Sequence, residues 1–83
     1  MKHKLEWEEN LSFGKNVKAF SALSKLHDEG VAFEYRLAKQ KGRWVDESEP
    51  ELLEKPGKRQ SWSNLSDAKK ALQNRENRLL KNL

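Results

Sequence analysis

Val31, Phe33, Tyr35 and Leu37 alternate with Ala32, Glu34, Arg36 and Ala38. Successive strand side chains point to opposite faces, so this run buries one row, and a one-residue slip would turn the aromatic row outward. The segment predicts a strand of fixed register, and the rest of the chain must supply its neighbours and a cover for its apolar row. Lys41-Gly42 follows where a tight hairpin turn belongs, and Arg43-Trp44-Val45 can pair back as a shorter strand.

The cover is expected from two helices. At the C-terminal end Asn64 reads as an N-cap with Asp67 three residues on, a capping-box spacing that sets a carboxylate at the positive end of a helix running to about Lys81. Leu65, Ala68, Leu72, Leu79 and Leu83 fall on one arc of it and form the stripe to be buried. A second helix is predicted over Val17 to Asp28, capped by Asn16 after Gly14 and stopped by Gly30. Val17, Phe20, Leu23, Leu26 and His27 share its apolar arc, with Lys18 and Lys25 opposite.

Upstream, the odd positions from His3 to Phe13 read His, Leu, Trp, Glu, Leu, Phe against polar even ones, a first strand anchored by Leu5 and Trp7. Arg59 to Trp62 reads as a last short strand. Between them Ser48 to Leu53 is placed for a short helical turn, and Lys55-Pro56-Gly57-Lys58 for a chain reversal. The expectation is one small α+β domain over residues 1–83, with 46–58 an acidic and turn-forming loop within it. Its antiparallel sheet carries two helices on one face, in the order β-α-β-β-loop-β-α.

Twelve leucines and seven aromatics in 83 residues, with 36% of the chain charged, allow one modest core. Its stability is expected on the order of 3–5 kcal/mol. Cysteine is absent, which excludes disulfides and thiolate metal sites and suits a reducing compartment. No apolar run reaches the length of a signal core or a membrane span, so the chain reads as cytoplasmic with no membrane partner.

Charge is segregated along the second half. Arg43 to Glu54 holds five carboxylates (Asp46, Glu47, Glu49, Glu51, Glu54) against one arginine, and Lys55 to Leu83 holds eight basic side chains against two acids. Such segregation concerns what a protein touches more than how it folds. On the predicted C-terminal helix, Lys70, Asn74, Asn77, Arg78 and Lys81 occupy the arc opposite the leucines, with no acid among them. A helix that needs only solubility usually mixes signs at i and i+4, whereas a row of donors suits phosphate oxygens. Lys58, Arg59 and Arg75 would add to it. Trp44 and Trp62, each beside charged residues at a strand end, are candidates for stacking on unpaired bases, whereas Phe33, Tyr35 and Trp7 are expected beneath the helices.

Signals for chemistry are weak. His27 lies on an apolar arc and His3 near the first residue, without ligand-like spacing. Glu6, Glu8 and Glu9, or the acids of the loop, have no metal-binding spacing, and the four glycines are isolated instead of forming a phosphate loop. No enzyme, cofactor, metal or small-molecule substrate is expected.

The Trp62-to-Lys69 step resembles the aromatic, polar cap, acid, alanine pattern that ends many small sheet-plus-helix modules. Double-stranded-RNA-binding domains also end in a basic, alanine-containing helix, to which Ala68-Lys69-Lys70-Ala71 is similar. The likeness is confined to this segment and carries over no functional residue.

The functional expectation is a small non-enzymatic accessory or regulatory protein that contacts RNA or DNA backbone through the basic helix. The alternative is a protein-interaction module, such as a small inhibitor or antitoxin-like factor, that docks its charge-split surface on a larger partner. Besides simple solvation, two readings are open for the acidic loop: it folds over the basic helix as an internal counter-charge, which would weaken nucleic-acid binding, or it forms a separate contact for a basic protein partner, which would let the molecule meet a protein and a nucleic acid at once.

Overall fold

The structure is a computed structural model and describes residues 3–9, 18–28, 30–53 and 57–82. It is a small α+β domain. A five-stranded antiparallel sheet has the order β1 (Glu8–Glu9), β2 (Ala19–Asp28), β3 (Val31–Gln40), β4 (Arg43–Asp46), β5 (Ser61–Trp62), each strand beside its sequence neighbour. One α-helix among the described residues, α1 (Leu65–Lys81), packs on one face.

The alternation that specifies β3 is realised. Tyr35 and Leu37 are fully buried toward α1, and their cross-strand partners Ala22, Phe20 and Asp46 share that face. Glu34 and Arg36 point the other way, opposite Leu23 and Ser21. The turn into β4 is the expected one: Lys41 has φ 49° and Gly42 φ 77°, the mirror-image turn whose twist matches that of paired strands. Pro50–Leu52 forms the expected short helical turn, and its Leu52 is fully buried in the core.

The first predicted helix is a strand. Residues 19–28, expected to be helical, form β2 and pair with β3 from Ala19 to Leu23 and again at His27 and Asp28. The inward row of β2 is Phe20, Ala22, Ser24 and Leu26, a weak apolar series with a hydroxyl in it, while Leu23 faces outward at 59% exposure. An apolar residue outside and a polar one inside break the period-2 signal, and Phe20, Leu23 and Leu26 are left at a helix-like spacing of three. The compensation for Ser24 lies far away in sequence, in Glu76. The cover of the sheet is accordingly one helix instead of two, and the order becomes five strands followed by α1. The expected first strand shrinks to Glu8–Glu9; Leu5 is nevertheless buried in the core and Trp7 packs against it. Leu11, Phe13, Gly14, Asn16 and Val17, the side chain of His27, and Glu54, Lys55, Pro56 and Leu83 lie outside the described residues.

β2 carries an irregularity between Leu23 and His27, where it advances four residues against two on β3. Such a bulge removes backbone groups from the ladder and obliges them to find other partners. Glu76 supplies one: its Oε2 accepts from Lys25 N at 2.8 Å, and its Oε1 accepts from Ser24 Oγ at 2.6 Å and from the Tyr35 hydroxyl at 3.2 Å. Ser24 Oγ in turn accepts from Leu26 N at 2.9 Å. One carboxylate on the helix thus closes the bulge and joins α1 to β2 and β3. On the adjoining helix edge Gln73 behaves like a neighbouring strand. Its Oε1 accepts from Leu5 N at 2.8 Å and its Nε2 donates to the His3 carbonyl at 2.7 Å.

Two outcomes are expected. Glu76→Ala leaves the bulge donors buried without an acceptor and costs about 3 kcal/mol, most of the stability of a domain this small, whereas Glu76→Gln keeps an acceptor and costs about half as much. Urea denaturation of the two variants measures both. Burial, reinforced by the Glu76 carboxylate, pushes the Tyr35 phenol far above its ordinary range. An unfolded tyrosine ionises near pH ~10, so this contribution to stability is complete below that pH and is lost as the pH rises beyond it. Tyr35 is the one tyrosine of the chain, so phenolate absorbance should appear only together with loss of circular dichroism, in one alkaline transition.

Candidate nucleic-acid interface

α1 begins as its sequence requires. Asn64 Oδ1 accepts from Asp67 N at 2.8 Å while Asn64 Nδ2 donates to Asp67 Oδ2 at 2.9 Å, so the first of the helix's acids is engaged at its own cap. The second acid, Glu76, is fully buried beneath the helix. With both carboxylates accounted for, the remaining charges of α1 are basic.

They divide into three groups. Lys69 lies against the sheet, its Nζ 4.9 Å from the Phe20 ring centroid, where a cation and an aromatic face attract. Arg75 is 3% exposed: its Nη1 donates to Asp46 Oδ2 at 2.7 Å and to the Leu52 carbonyl at 3.2 Å. Arg75 therefore leaves the set of phosphate-binding candidates, because reaching a ligand would abandon a buried ion pair. Lys70, Arg78 and Lys81 are exposed, and Asn74 is exposed among them. At 100° per residue, Lys70, Asn74 and Lys81 lie within an arc of about 40°, diametrically opposite the buried Ala68 and Leu72. Asn77 is half-buried and its Oδ1 accepts from Gln73 Nε2 at 3.2 Å.

Lys58 and Arg59, before β5, are exposed as well. Arg59 is partly committed, since its Nη1 donates to the carbonyls of Asp46 at 3.0 Å and Ser48 at 2.9 Å. It ties its own segment to the loop and is a weaker phosphate candidate than Lys58.

The acidic stretch is mostly structural. Asp46 is fully buried and, besides meeting Arg75, accepts from Ser48 N at 3.0 Å. Glu47 accepts from Gln40 Nε2 at 3.2 Å. Glu49 Oε2 accepts from Glu34 N at 2.6 Å, and its own N–H donates to the Glu34 carbonyl at 3.2 Å. Residues 46–49 thus continue along β3 beyond the end of β4. Asp46 serves as an internal counter-charge to α1, which removes it from any partner-binding surface, while Glu51 is exposed.

The aromatic candidates are inside. Trp44 is 7% exposed, packed at 5.7 Å between centroids against Phe20 with Lys39 Nζ 5.9 Å from its ring. It offers no face for a base. Trp62, its cross-strand partner, is half-buried and packs against the core, as do Phe33 and Trp7. On the uncovered sheet face His3, Glu6, Glu8, Ser21, Leu23 and Glu34 line an open cleft of about 380 Å³. Glu34 there is paired with Arg36 at 2.9 Å. Among the described residues no group of three histidines or acids is placed to hold a metal ion, and no helix is long and apolar enough to cross a membrane.

Glu76, Ser24 and Gln73 were not singled out by their sequence positions. One signal was available: Arg75 and Glu76 stand on either flank of the leucine stripe, so a helix that buries a wider arc takes both in, and two adjacent opposite charges then need partners. No family model, curated protein or solved structure is significantly similar to this chain.

The division of α1 into buried and outward charges predicts a contrast in stability. Asp46→Ala, which strands the Arg75 guanidinium, costs about 3–5 kcal/mol. Lys70→Ala and Lys81→Ala change stability by no more than about 0.5 kcal/mol. Thermal or urea unfolding of the three variants makes the comparison.

Proposed function

We propose that this chain is a small non-enzymatic nucleic-acid-binding protein that lays the outward face of α1 along a phosphate backbone. The observation that carries the reading is the fate of the two acids of the helix: Glu76 is buried at the bulge of β2 and the exposed Asp67 is engaged in the cap, so beyond the first turn the outward face carries Lys70, Asn74, Arg78 and Lys81 without a carboxylate. A solvated helix gains from pairing opposite charges four residues apart, and the sequence places no such pair among these four residues. Its cations extend over about 16 Å of helix axis, enough to meet several phosphates. Lys58 adds a fourth cation outside the helix.

The alternative, a protein-docking module that presents opposite charges side by side, draws less support. Asp46, Glu47 and Glu49 make contacts within the chain, so the acidic half of the charge-split surface is largely engaged by β3 and α1.

Backbone binding displaces counterions, so affinity measured against salt should fall with a log–log slope of about −2 to −3 if three phosphates are neutralised. The double variant Lys70→Glu/Arg78→Glu should abolish binding and retain the helical circular dichroism of the parent. Affinity that ignores salt, or equal loss of binding in a variant altered only at exposed sheet positions such as Val31, would contradict the reading.

A further inference from the structure

Resting on the reading of α1 as the nucleic-acid contact, we infer that its ligand is duplex DNA, that α1 enters the major groove, and that Asn74 reads an adenine edge there. Three observations converge. Unpaired bases are held by stacking on exposed aromatic faces, and among the described residues the aromatics are buried or half-buried, with Trp44 beneath α1 and Trp62 packed on the core. Among the described residues single strands therefore find no aromatic platform beside the basic row.

Shape separates the two duplexes. α1 has seventeen residues and turns one side to the sheet, leaving a convex cationic ridge. A helix about 10–12 Å across fits a B-form major groove about 12 Å wide. The major groove of A-form RNA is too deep and narrow for side chains to read, and its shallow minor groove is recognised by modules that span about 16 base pairs with several contact regions. One helix on one sheet has a single such region.

The chemistry of the row then selects a reader. Asn74 is exposed between Lys70, four residues before it, and Lys81, seven residues after, so a central amide has cations about 6 Å to one side and about 10 Å to the other along the axis. Asn77 already accepts from Gln73, which is itself anchored to the backbone of residues 3 and 5, so it is a positioned residue and not a reader. A carboxamide matches the N7 acceptor and N6 donor of adenine with two hydrogen bonds, while the flanking cations fit phosphates on either side of the groove.

The test compares fluorescence anisotropy of four labelled probes of equal length: an A·T-containing DNA duplex, a G·C-only DNA duplex, the RNA duplex of the first sequence, and its single DNA strand. The A·T duplex should bind more tightly than the G·C duplex by roughly 5- to 150-fold, and more tightly than the RNA duplex or the single strand. Asn74→Ala should bring the two DNA duplexes within about two-fold of each other at an unchanged salt slope, and 7-deazaadenine in the A·T duplex should do the same to the parent protein. Lys70→Ala should reduce the slope by about one and leave the base preference intact. Tighter binding of RNA or of the single strand would overturn the inference and leave the backbone reading standing, as would an A·T preference that survives Asn74→Ala. Binding to none of the four probes would overturn both.

Discussion

The Glu76 carboxylate is the contact on which the rest of the domain depends. β2 cannot run past Leu23 in register with β3 unless its displaced donors are received elsewhere, and the Ser24 hydroxyl is buried on the core face. Glu76 takes up Lys25 N, the Ser24 hydroxyl and the Tyr35 phenol with two oxygens. Because those groups sit on two strands and the acceptor on the helix, the same carboxylate sets the rotation of α1 about its axis. A charge held by hydrogen bonds in a buried site is poorly replaced, since removing it strands several polar groups at once.

That rotation decides which side chains meet solvent. With Glu76 turned to the bulge, its neighbour Arg75 points to the opposite flank, where Asp46 and the Leu52 carbonyl receive it. The two adjacent charges fasten α1 to both ends of the sheet's inner face, and the apolar contacts of Ala68 and Leu72 with Tyr35 and Leu37 lie between them. What then projects outward is the row opposite, Lys70, Asn74 and Lys81 with Arg78 at its margin. The basic surface is a consequence of the core: the helix's only internal acid was needed inside.

Much of this was legible in the residues and part of it was not. The β3 alternation, the Lys41-Gly42 turn, the short turn at Pro50–Leu52 and the Asn64 cap are governed by local rules, and each stands where the spacing places it. The outward arc of α1 was readable too, except at Asn77, which is half-buried and bonded to Gln73. β2 was misread as a helix because Ser24 is made tolerable inside by a partner fifty-two residues away, and because Leu23 faces outward. Arg75, Asp46 and Trp44 looked like surface candidates for the same reason. A charge or an indole shows its burial only through partners that meet it in space, and no periodicity within one segment contains that information.

The central claim is that the outward row of α1 is the centre of the contact. Two-dimensional amide NMR of the labelled protein, titrated with a short DNA duplex at low salt, tests it residue by residue. The account predicts shift changes at Lys70, Asn74, Arg78 and Lys81, with Tyr35, Asp46 and Glu76 unmoved. Changes centred on the exposed Leu23 and Val31 at the β2–β3 end of the sheet, or on the cleft between Glu6 and Glu34, would contradict it.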